Sequence, residues 1–299
     1  MLMARASAPD RLSALPDDFL LTHILSKISY RDVLLSQRWR FLWRKVPILK
    51  FYFEDFEKQK DDKIQAIIDN ALHLDARLRY LYLQVALDDP KAVDINNWIR
   101  LAAEKQVERM DIHITYRDRK TRLNTSSMVE LGDSIFSENL TALIVNYIDL
   151  PKVPTNFGVL RSLKTLYFME IRNVDDAMFE GFMDLCPHLL ILGICGCLGL
   201  KNLNIRSSNL MYLNLGILRS DISLQIACPR LMEISLTDFG KYTGLKLLQG
   251  ISRAESVKKI ILQNYNTGNA VNPGIPSVTV LNSFPMQSMA SVYRLEFCT

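Results

Sequence analysis

Histidines and paired acidic residues are the side chains of this sequence that could support catalysis, and their placement argues against it. The histidines lie in separate predicted elements, and no nucleophile elbow, phosphate-binding loop or HExxH motif accompanies them. The acidic pairs stand where helices and turns are expected to begin, which is a common structural role. We therefore expect no catalytic residues and predict that the protein is not an enzyme. The residues concerned are His23, His73, His113 and His188, and Asp17-Asp18, Asp61-Asp62, Asp88-Asp89 and Asp175-Asp176.

The cysteines do not predict a metal site. Structural zinc needs four ligands, usually in two closely spaced pairs. Cys195 and Cys197 form one such pair on a predicted strand, and Cys186 precedes a proline at a predicted helix end. The odd total of 5 and the lack of framework spacing favour reduced, buried thiols in an intracellular protein. We expect neither a metal nor a cofactor.

Composition sets limits on the fold and on the partners. The chain has 299 residues, of which 48% are apolar and 23% charged, as expected for globular material in one or two domains. A net charge of +4 does not indicate binding to nucleic acid through the phosphate backbone. No uninterrupted apolar run reaches the length of about eighteen residues that a membrane helix needs. The N-terminus lacks the apolar region of a signal peptide.

The N-terminal segment predicts a helix with more apolar surface than a small unit can bury. Pro16 suits the first helical turn, and the helix should continue to about Ile28. Two apolar rows lie side by side, so one can face inward while the other faces a partner. The rows are Leu20, Ile24 and Ile28, and Leu21 and Leu25.

A second helix is predicted from Asp32 to the residue before Pro47. Arginine and lysine alternate with aromatic residues along it, so binding of nucleic acid by base stacking is an alternative. Because both tryptophans fall on the apolar stripe, we favour a packed helix with a solvated basic side, and no nucleic-acid partner. The stripe consists of Leu35, Trp39, Leu42, Trp43 and Val46.

A Leu-x-x-Leu-x-Leu frame, with other aliphatic residues allowed, recurs through the rest of the chain. Most repeats start about 21 to 33 residues apart, which is typical of a leucine-rich solenoid with one strand and one return arm per turn. Helical arms are predicted at Trp98–Lys105 and Asp176–Leu185. The starts at Leu189, Leu200 and Leu210 are only about ten residues apart, so tight turns should join irregular strands there. The frames begin at Leu78, Val107, Leu140, Leu163, Leu189, Leu200, Leu210, Leu231, Val257 and Val292.

Strand alternation predicts which side chains leave the core. The second and third apolar residues of each frame should point inward, and the residues between them should line an open, concave face of the sheet. Tyrosine and arginine at such positions suit a surface that binds a target protein. An ordinary solvated sheet face would have a similar composition, so that interpretation stays open. The predicted target-binding residues are Tyr80, Tyr82, Arg109, Asp111, His113, Tyr167, Asn202, Asn204, Arg206 and Tyr212.

These motifs carry a family resemblance. The run from Asp10 to Leu20, with Ile24-Leu25-Ser26 and the run from Leu35 to Trp43, closely resembles the F-box of plant F-box proteins with leucine-rich repeats. Further matches lie in the repeats. They are Trp98-Ile99 with Val107-Glu108, Leu163-Lys164-Thr165-Leu166, Cys186-Pro187, and Cys228-Pro229 with Leu231.

The resemblance implies an architecture and a function. It implies an α/β protein with a small all-α F-box at 9–50 and an irregular leucine-rich-repeat solenoid at 76–299. Between them, the residue pattern predicts a linker and solenoid cap at 51–75, formed by a strand and a helix. It also implies a substrate-recognition subunit of an SCF-type ubiquitin ligase, bound to a Skp adaptor and through it to cullin, in the nucleus or the cytoplasm. The implied Skp contacts are Leu15, Pro16, Leu20, Ile24, Leu25, Ile28, Trp39, Leu42 and Trp43.

Two departures from the family pattern keep alternatives open. Between Ile28 and Arg38 the chain is about four residues shorter than the pattern, which is close to one helical turn. A repeat scaffold whose F-box no longer binds Skp is therefore one alternative, and a small-molecule or hormone receptor that uses a solenoid pocket is another. The FBD region that many such proteins carry at the C-terminus is expected to be absent or truncated.

Overall fold

A long sheet covered on one face by helices and a second sheet forms the body of the molecule. The computed structural model describes residues 15–25, 42, 45–73, 77–117, 130–151, 160–197, 199–218, 222–237, 256–264 and 277–282. The helices are α1 (Asp17–Phe19), which continues as a π-helical turn (Leu20–Ile24), α2 (Asp61–Leu72), α3 (Ile95–Glu104) and α4 (Asp176–Leu185). Short 3-10 helices span Phe53–Asp55, Pro90–Ala92 and Asp133–Ile135. The strands are β1 (Ile48–Phe51), β2 (Tyr80–Leu87), β3 (Arg109–Tyr116), β4 (Ala142–Asn146), β5 (Thr165–Met169), β6 (Ile191–Cys195), β7 (Asn202–Arg206), β8 (Tyr212–Gly216), β9 (Ser223–Ala227), β10 (Glu233–Thr237), β11 (Lys259–Asn264) and β12 (Ser277–Asn282).

The long sheet has 10 strands in the order β1-β2-β3-β4-β5-β6-β8-β10-β11-β12. Its strand pairs are parallel except that β12 runs antiparallel to β11. Each Leu-x-x-Leu-x-Leu frame from Leu78 to Val257 coincides with a strand, while the frame at Val292 lies outside the described residues. This parallel α/β arrangement is compatible with the predicted leucine-rich solenoid.

The first turn of the sheet is built by a strand and a helix, as predicted for the solenoid cap, although the strand lies earlier in the chain than the predicted range. β1 pairs with β2, and α2 packs its buried face into the same core as the strands. Since β1 begins at Ile48, it crosses the predicted boundary at residue 50, and the domain boundaries stay a prediction.

The core lies between one face of the long sheet and the outer layer. Trp98, Phe168, Phe179 and Phe182 are among its largest fully buried side chains. The helical arms agree with the prediction, and α4 has the predicted bounds. α3 starts three residues before Trp98 because the Asp94 side chain accepts a hydrogen bond from the Asn97 N–H and so caps the helix earlier.

The closely spaced frames form a second sheet, which corrects part of the predicted binding face. β7 leaves the long sheet and pairs in parallel with β9. With about ten residues per half-turn, a strand replaces the helix as the return arm, and it packs beside α4 on the outer side. The concave placement predicted for Asn202, Asn204 and Arg206 is therefore wrong, because all three lie on β7.

The described part of the N-terminal segment forms a small apolar cluster of its own. Leu20 and Leu25 are 0% and 1% exposed and pack with Leu42 and Val46. The Leu25 N–H bonds to the carbonyl of Leu20, five residues earlier, so these two side chains fall on one face. The sequence predicts Leu20 and Leu25 in two different apolar rows, whereas the structure buries both in one cluster. Ile28, Trp39 and Trp43 lie outside the described residues, and the all-α F-box stays a prediction.

Neither a membrane helix nor a metal-binding cluster occurs in the described ranges. None of their helices combines the length and the hydrophobicity that crossing a bilayer requires. The same ranges bring no three histidine, cysteine, aspartate or glutamate side chains together as metal ligands.

Candidate functional site

The N-terminal end of the open face carries a contiguous group of aromatic and charged side chains. Register places Tyr80 beside Arg109, Tyr82 beside Asp111 and Gln84 beside His113. These residues alternate along β2 and β3 with the buried leucines, isoleucines and methionine of the core. We call this group the N-terminal patch. It consists of Lys50, Tyr52, Tyr80, Tyr82, Gln84, Arg109, Asp111 and His113.

Asp111 is the buried member of this patch and lies beneath the side chains of its neighbours. Its residue exposure is 4%, although strand alternation predicted an open position. The longer neighbours cover it: the Tyr80 hydroxyl donates to Oδ2 over 2.7 Å, and Arg109 Nη2 donates to the same oxygen over 2.8 Å. The Arg109 guanidinium also lies 5.1 Å from the centre of the Tyr80 ring. Burial, followed by the hydrogen bond to Asp111, raises the pKa of Tyr80, so the phenol stays a donor.

Tyr82 joins two other rings into an aromatic row. Its ring centre lies 5.1 Å from that of Tyr52 and 5.5 Å from that of His113, and its hydroxyl donates to Gln84 over 3.1 Å. Burial lowers the pKa of His113 below its ordinary value of 6.5, against the opposing charge of Asp111. The imidazole is therefore neutral at pH 7 and adds no charge to the patch.

The middle of the open face is shaped by a glycine that sequence reasoning did not single out. Tyr167 lies across Gly193, its neighbour in the register. A Cβ atom at Gly193 would stand 2.0 Å from Cδ1 of Tyr167. The Tyr167 hydroxyl bonds with the side chain of Asn214. A glycine at an outward-facing strand position is the sequence signal that could have predicted this contact. It lets the Tyr167 ring approach the backbone, which a side chain at position 193 would block.

Tyr212 stands on the open face but apart from the N-terminal patch. It is 39% exposed and lies on β8, with β4, β5 and β6 between it and β3. Farther along the same face, Lys259 Nζ and Glu233 Oε2 form an ion pair of 2.9 Å. The structure thus brings together the predicted residues on β2 and β3, and separates them from Tyr167 and Tyr212.

The polar side chains of β7 are occupied with local contacts. Asn202 Nδ2 donates to Asp176 Oδ2 of α4 over 2.9 Å, and Arg206 Nε donates to Asn204 Oδ1 over 3.1 Å. The first bond joins the second sheet to the outer helix, and the second lies within β7.

The predicted Skp contacts divide into exposed and buried residues. Pro16 is exposed, and the neighbouring Phe19 is 45% exposed and stacks on His23 with ring centres 4.5 Å apart. Leu15 and Ile24 are half-buried beside the apolar cluster that encloses Leu20, Leu25 and Leu42. Phe19 was not among the predicted contacts, since the sequence did not show on which side of the helix it would emerge.

Two of the described cysteines are suited to packing rather than to reactivity. Cys186 and Cys197 are 1% and 2% exposed, and burial raises the pKa of each thiol to about 12. A thiol is a poor nucleophile and a poor metal ligand, since both roles require the thiolate. Cys197 instead lies within 3.6 Å of the carbonyl of Phe168 and closes the repeat.

Similar proteins come from a plant. No protein-family model matches the chain. An F-box/LRR-repeat protein of Arabidopsis thaliana is 28% identical over 306 residues, which cover 96% of this chain and 89% of that protein. An FBD-associated F-box protein of the same species is 32% identical over 193 residues, or 62% of this chain and 43% of the relative. A putative FBD-associated F-box protein is 28% identical over 253 residues, or 80% of this chain.

The relatives confirm the resemblance that the sequence predicted. The chain spans 56% of the length of two of the curated relatives that it matches, and their names describe F-box proteins with FBD or leucine-rich-repeat regions. The similarity is to plant F-box/LRR proteins and supports a general F-box protein role.

Proposed function

We propose that this relative of the plant F-box/LRR proteins is the substrate-recognition subunit of an SCF-type ubiquitin ligase. Its N-terminal segment binds a Skp adaptor and through it cullin, and its repeats bind a target protein. The chain performs no chemistry itself, because ubiquitin is transferred by other subunits to a target held nearby. This role places the protein in the nucleus, the cytoplasm or both.

One observation carries the Skp assignment. Pro16 and Phe19 stand exposed on a segment whose other side is fixed by the buried side chains of Leu20 and Leu25. A rigid support with an exposed aromatic anchor is what a small docking module needs. Burial of one such aromatic side chain against a partner contributes about 1.5 to 3 kcal/mol.

The structure also revises which residues we propose as Skp contacts. Leu20 and Leu25 support the segment from within, so a partner cannot reach them without opening the cluster. Pro16 and Phe19 form the centre of the proposed contact, with the half-buried Leu15, Leu21 and Ile24 around them. The residues that the structure does not describe, Ile28, Trp39 and Trp43, stay predicted contacts.

The target-binding role belongs to the open face of the long sheet. Tyr80, Tyr82, Arg109 and His113 are adjacent there, and tyrosine and arginine are common anchors of protein interfaces. Tyr167 and Tyr212 provide further anchors toward the C-terminal strands.

Co-purification with a Skp adaptor tests the proposal. The full chain and the adaptor should elute together in equal amounts, and Leu15→Ala combined with Pro16→Ala should abolish this association while the repeats stay folded. Unchanged co-elution of the double variant would reject these residues as the contact.

A repeat scaffold that does not bind Skp is the second candidate. The burial of Leu20 and Leu25 favours it, because two side chains that were expected to face the adaptor are used internally. In the same experiment this candidate predicts that the wild-type chain elutes alone.

A further inference from the structure

The N-terminal patch covers its carboxylate more completely than its two cations. The Asp111 side chain is 5% exposed, whereas that of Arg109 is 42% exposed. Lys50 is half-buried and holds its ammonium group 5.9 Å from the centre of the Tyr80 ring. From the solvent side, the positive charges of this patch are therefore more accessible than the carboxylate of Asp111.

Arg109 keeps hydrogen-bonding capacity for a second acid. Nε and Nη2 donate to the Asp111 carboxylate at 2.8 to 3.2 Å, the guanidinium also hydrogen-bonds with the Tyr80 side chain, and Nη1 takes no part in the bonds to Asp111. A guanidinium has five N–H donors in a fixed fork, so binding one carboxylate leaves donors available for another.

The tyrosine hydroxyls are less available than the tyrosine rings. Those of Tyr80 and Tyr82 donate to Asp111 and Gln84, so both groups are already used within the patch. Tyr52, Tyr82 and His113 are in ring contact, and this contact limits the freedom of their side chains. The patch thus presents apolar ring surfaces that need little ordering on binding, next to two cations.

We infer that the N-terminal patch binds an acidic segment of the target protein, with Asp or Glu carboxylates at Lys50 and Arg109 and apolar or aromatic residues on the tyrosine rings. This inference rests on the proposed function, since the segment belongs to the target that the repeats hold. Charge complementarity of this kind selects partners and speeds their association.

The opposite end of the open face provides an internal comparison. Lys259 is paired with Glu233, so its charge is compensated at the surface. Close to the patch, the exposed Glu54 lies near enough to Tyr82 to raise the pKa of that phenol, as a minor cause after burial. Its negative charge opposes an acidic segment.

Selection from a phage-displayed library of random 12-residue peptides on the immobilised full chain tests the inference. Enriched peptides should combine Asp or Glu with aromatic or aliphatic residues, and raised salt should weaken their binding. Lys50→Gln should lower their binding about fivefold, as expected for one charge contact of up to about 1 kcal/mol. Glu54→Gln should strengthen it, and the matched control Lys259→Gln should leave it unchanged.

A double variant tests the role of Arg109 without leaving a buried charge that could unfold the protein. Arg109→Gln alone leaves Asp111 as a buried, poorly compensated charge, so it is combined with Asp111→Asn. This double variant should fold and should also lose selection of acidic peptides. Enrichment of basic or uncharged peptides, no enrichment at all, or acidic peptides that bind equally to Lys50→Gln would overturn the inference. Skp co-purification is measured separately, so its failure rejects the ligase role, whereas failure of the peptide selection with Skp binding intact rejects the acidic segment alone.

Discussion

Tyr80 and Tyr82 stand two residues apart on β2 and face the same way, yet their hydroxyl groups meet different acceptors. Tyr80 donates to the buried carboxylate of Asp111, and Tyr82 donates to the neutral amide oxygen of Gln84. A hydrogen bond to a charged group is worth more than one to a neutral group. The sequence placed both tyrosines on one face but could not show that only one of them supports a buried charge.

The two tyrosines allow a matched test. Tyr80→Phe should lower the free energy of unfolding by about 1.5 to 3 kcal/mol, because it removes one donor from a buried carboxylate. Tyr82→Phe should lower it by about 0.5 to 1.5 kcal/mol, since its acceptor is neutral. Urea unfolding of both variants measures the difference. Equal losses would show that the Asp111 carboxylate does not depend on Tyr80.

His113 should make the fold sensitive to acid. Burial lowers its pKa in the folded state, while the unfolded chain takes up the proton near the ordinary value of 6.5. The unfolded state therefore binds more protons below that pH, so stability is complete above 6.5 and falls as the pH drops toward the folded-state pKa.

His113→Gln should remove part of this loss. The free energy of unfolding is compared between about pH 7.5 and pH 5.5 for the wild type, for His113→Gln and for the control His188→Gln, which changes an exposed histidine. We expect a smaller decrease in His113→Gln alone. An identical decrease in all three proteins would exclude His113 as its source.

At the carboxyl ends of the first strands, side chains of one turn of the solenoid form hydrogen bonds with the next turn. Asp61 at the start of α2 is 8% exposed and accepts from the backbone N–H groups of Asp88 and Asp89 at 2.8 to 3.1 Å. Arg117, just after β3, donates to Asp88 over 2.8 Å and to the carbonyl of Phe56 over 3.2 Å. The first turn of the sheet thus depends on a buried carboxylate.

Asp61→Asn should destabilise this end of the sheet by about 1 to 3 kcal/mol, because an amide offers one oxygen where two backbone donors bind and adds an N–H group without an acceptor. Asp62→Asn changes the exposed neighbour in the same helical turn and should have little effect. Thermal unfolding of the two variants distinguishes them. A similar decrease in unfolding temperature for both variants would mean that the charge near the helix N-terminus accounts for the loss, and not the hydrogen bonds of Asp61 to Asp88 and Asp89.

The frames predicted β2 to β8 and β10 and β11, because the described apolar residues of each frame face the core at regular spacing. They did not predict that β7 would lie outside the long sheet and pair with β9, which follows β8 in the chain. Nor did helical periodicity predict the π-helical turn that puts Leu20 and Leu25 on one face. Pairing between turns and local changes of helix type both depend on tertiary packing, which a residue pattern does not contain.

The molecule combines a small apolar cluster in its N-terminal segment with a long sheet that is open on one face. The sequence predicted the repeated strands of the sheet, and the relatives support the resemblance to plant F-box/LRR proteins, while the F-box itself stays a prediction. The sequence could not predict which side chains of the N-terminal segment stay accessible, because that depends on how Leu42 and Val46 pack against Leu20 and Leu25. The accessible group includes Phe19.

Calorimetric titration of the full chain with a purified Skp adaptor tests whether the protein binds Skp through its N-terminal segment. We expect binding in equal proportions, a loss of about 1.5 to 3 kcal/mol of binding free energy in Phe19→Ala, and no loss in the control Tyr212→Ala, which removes a similarly exposed aromatic from β8 of the long sheet. Absence of binding by the wild-type chain, or equal binding by both variants, would contradict Skp binding through this segment.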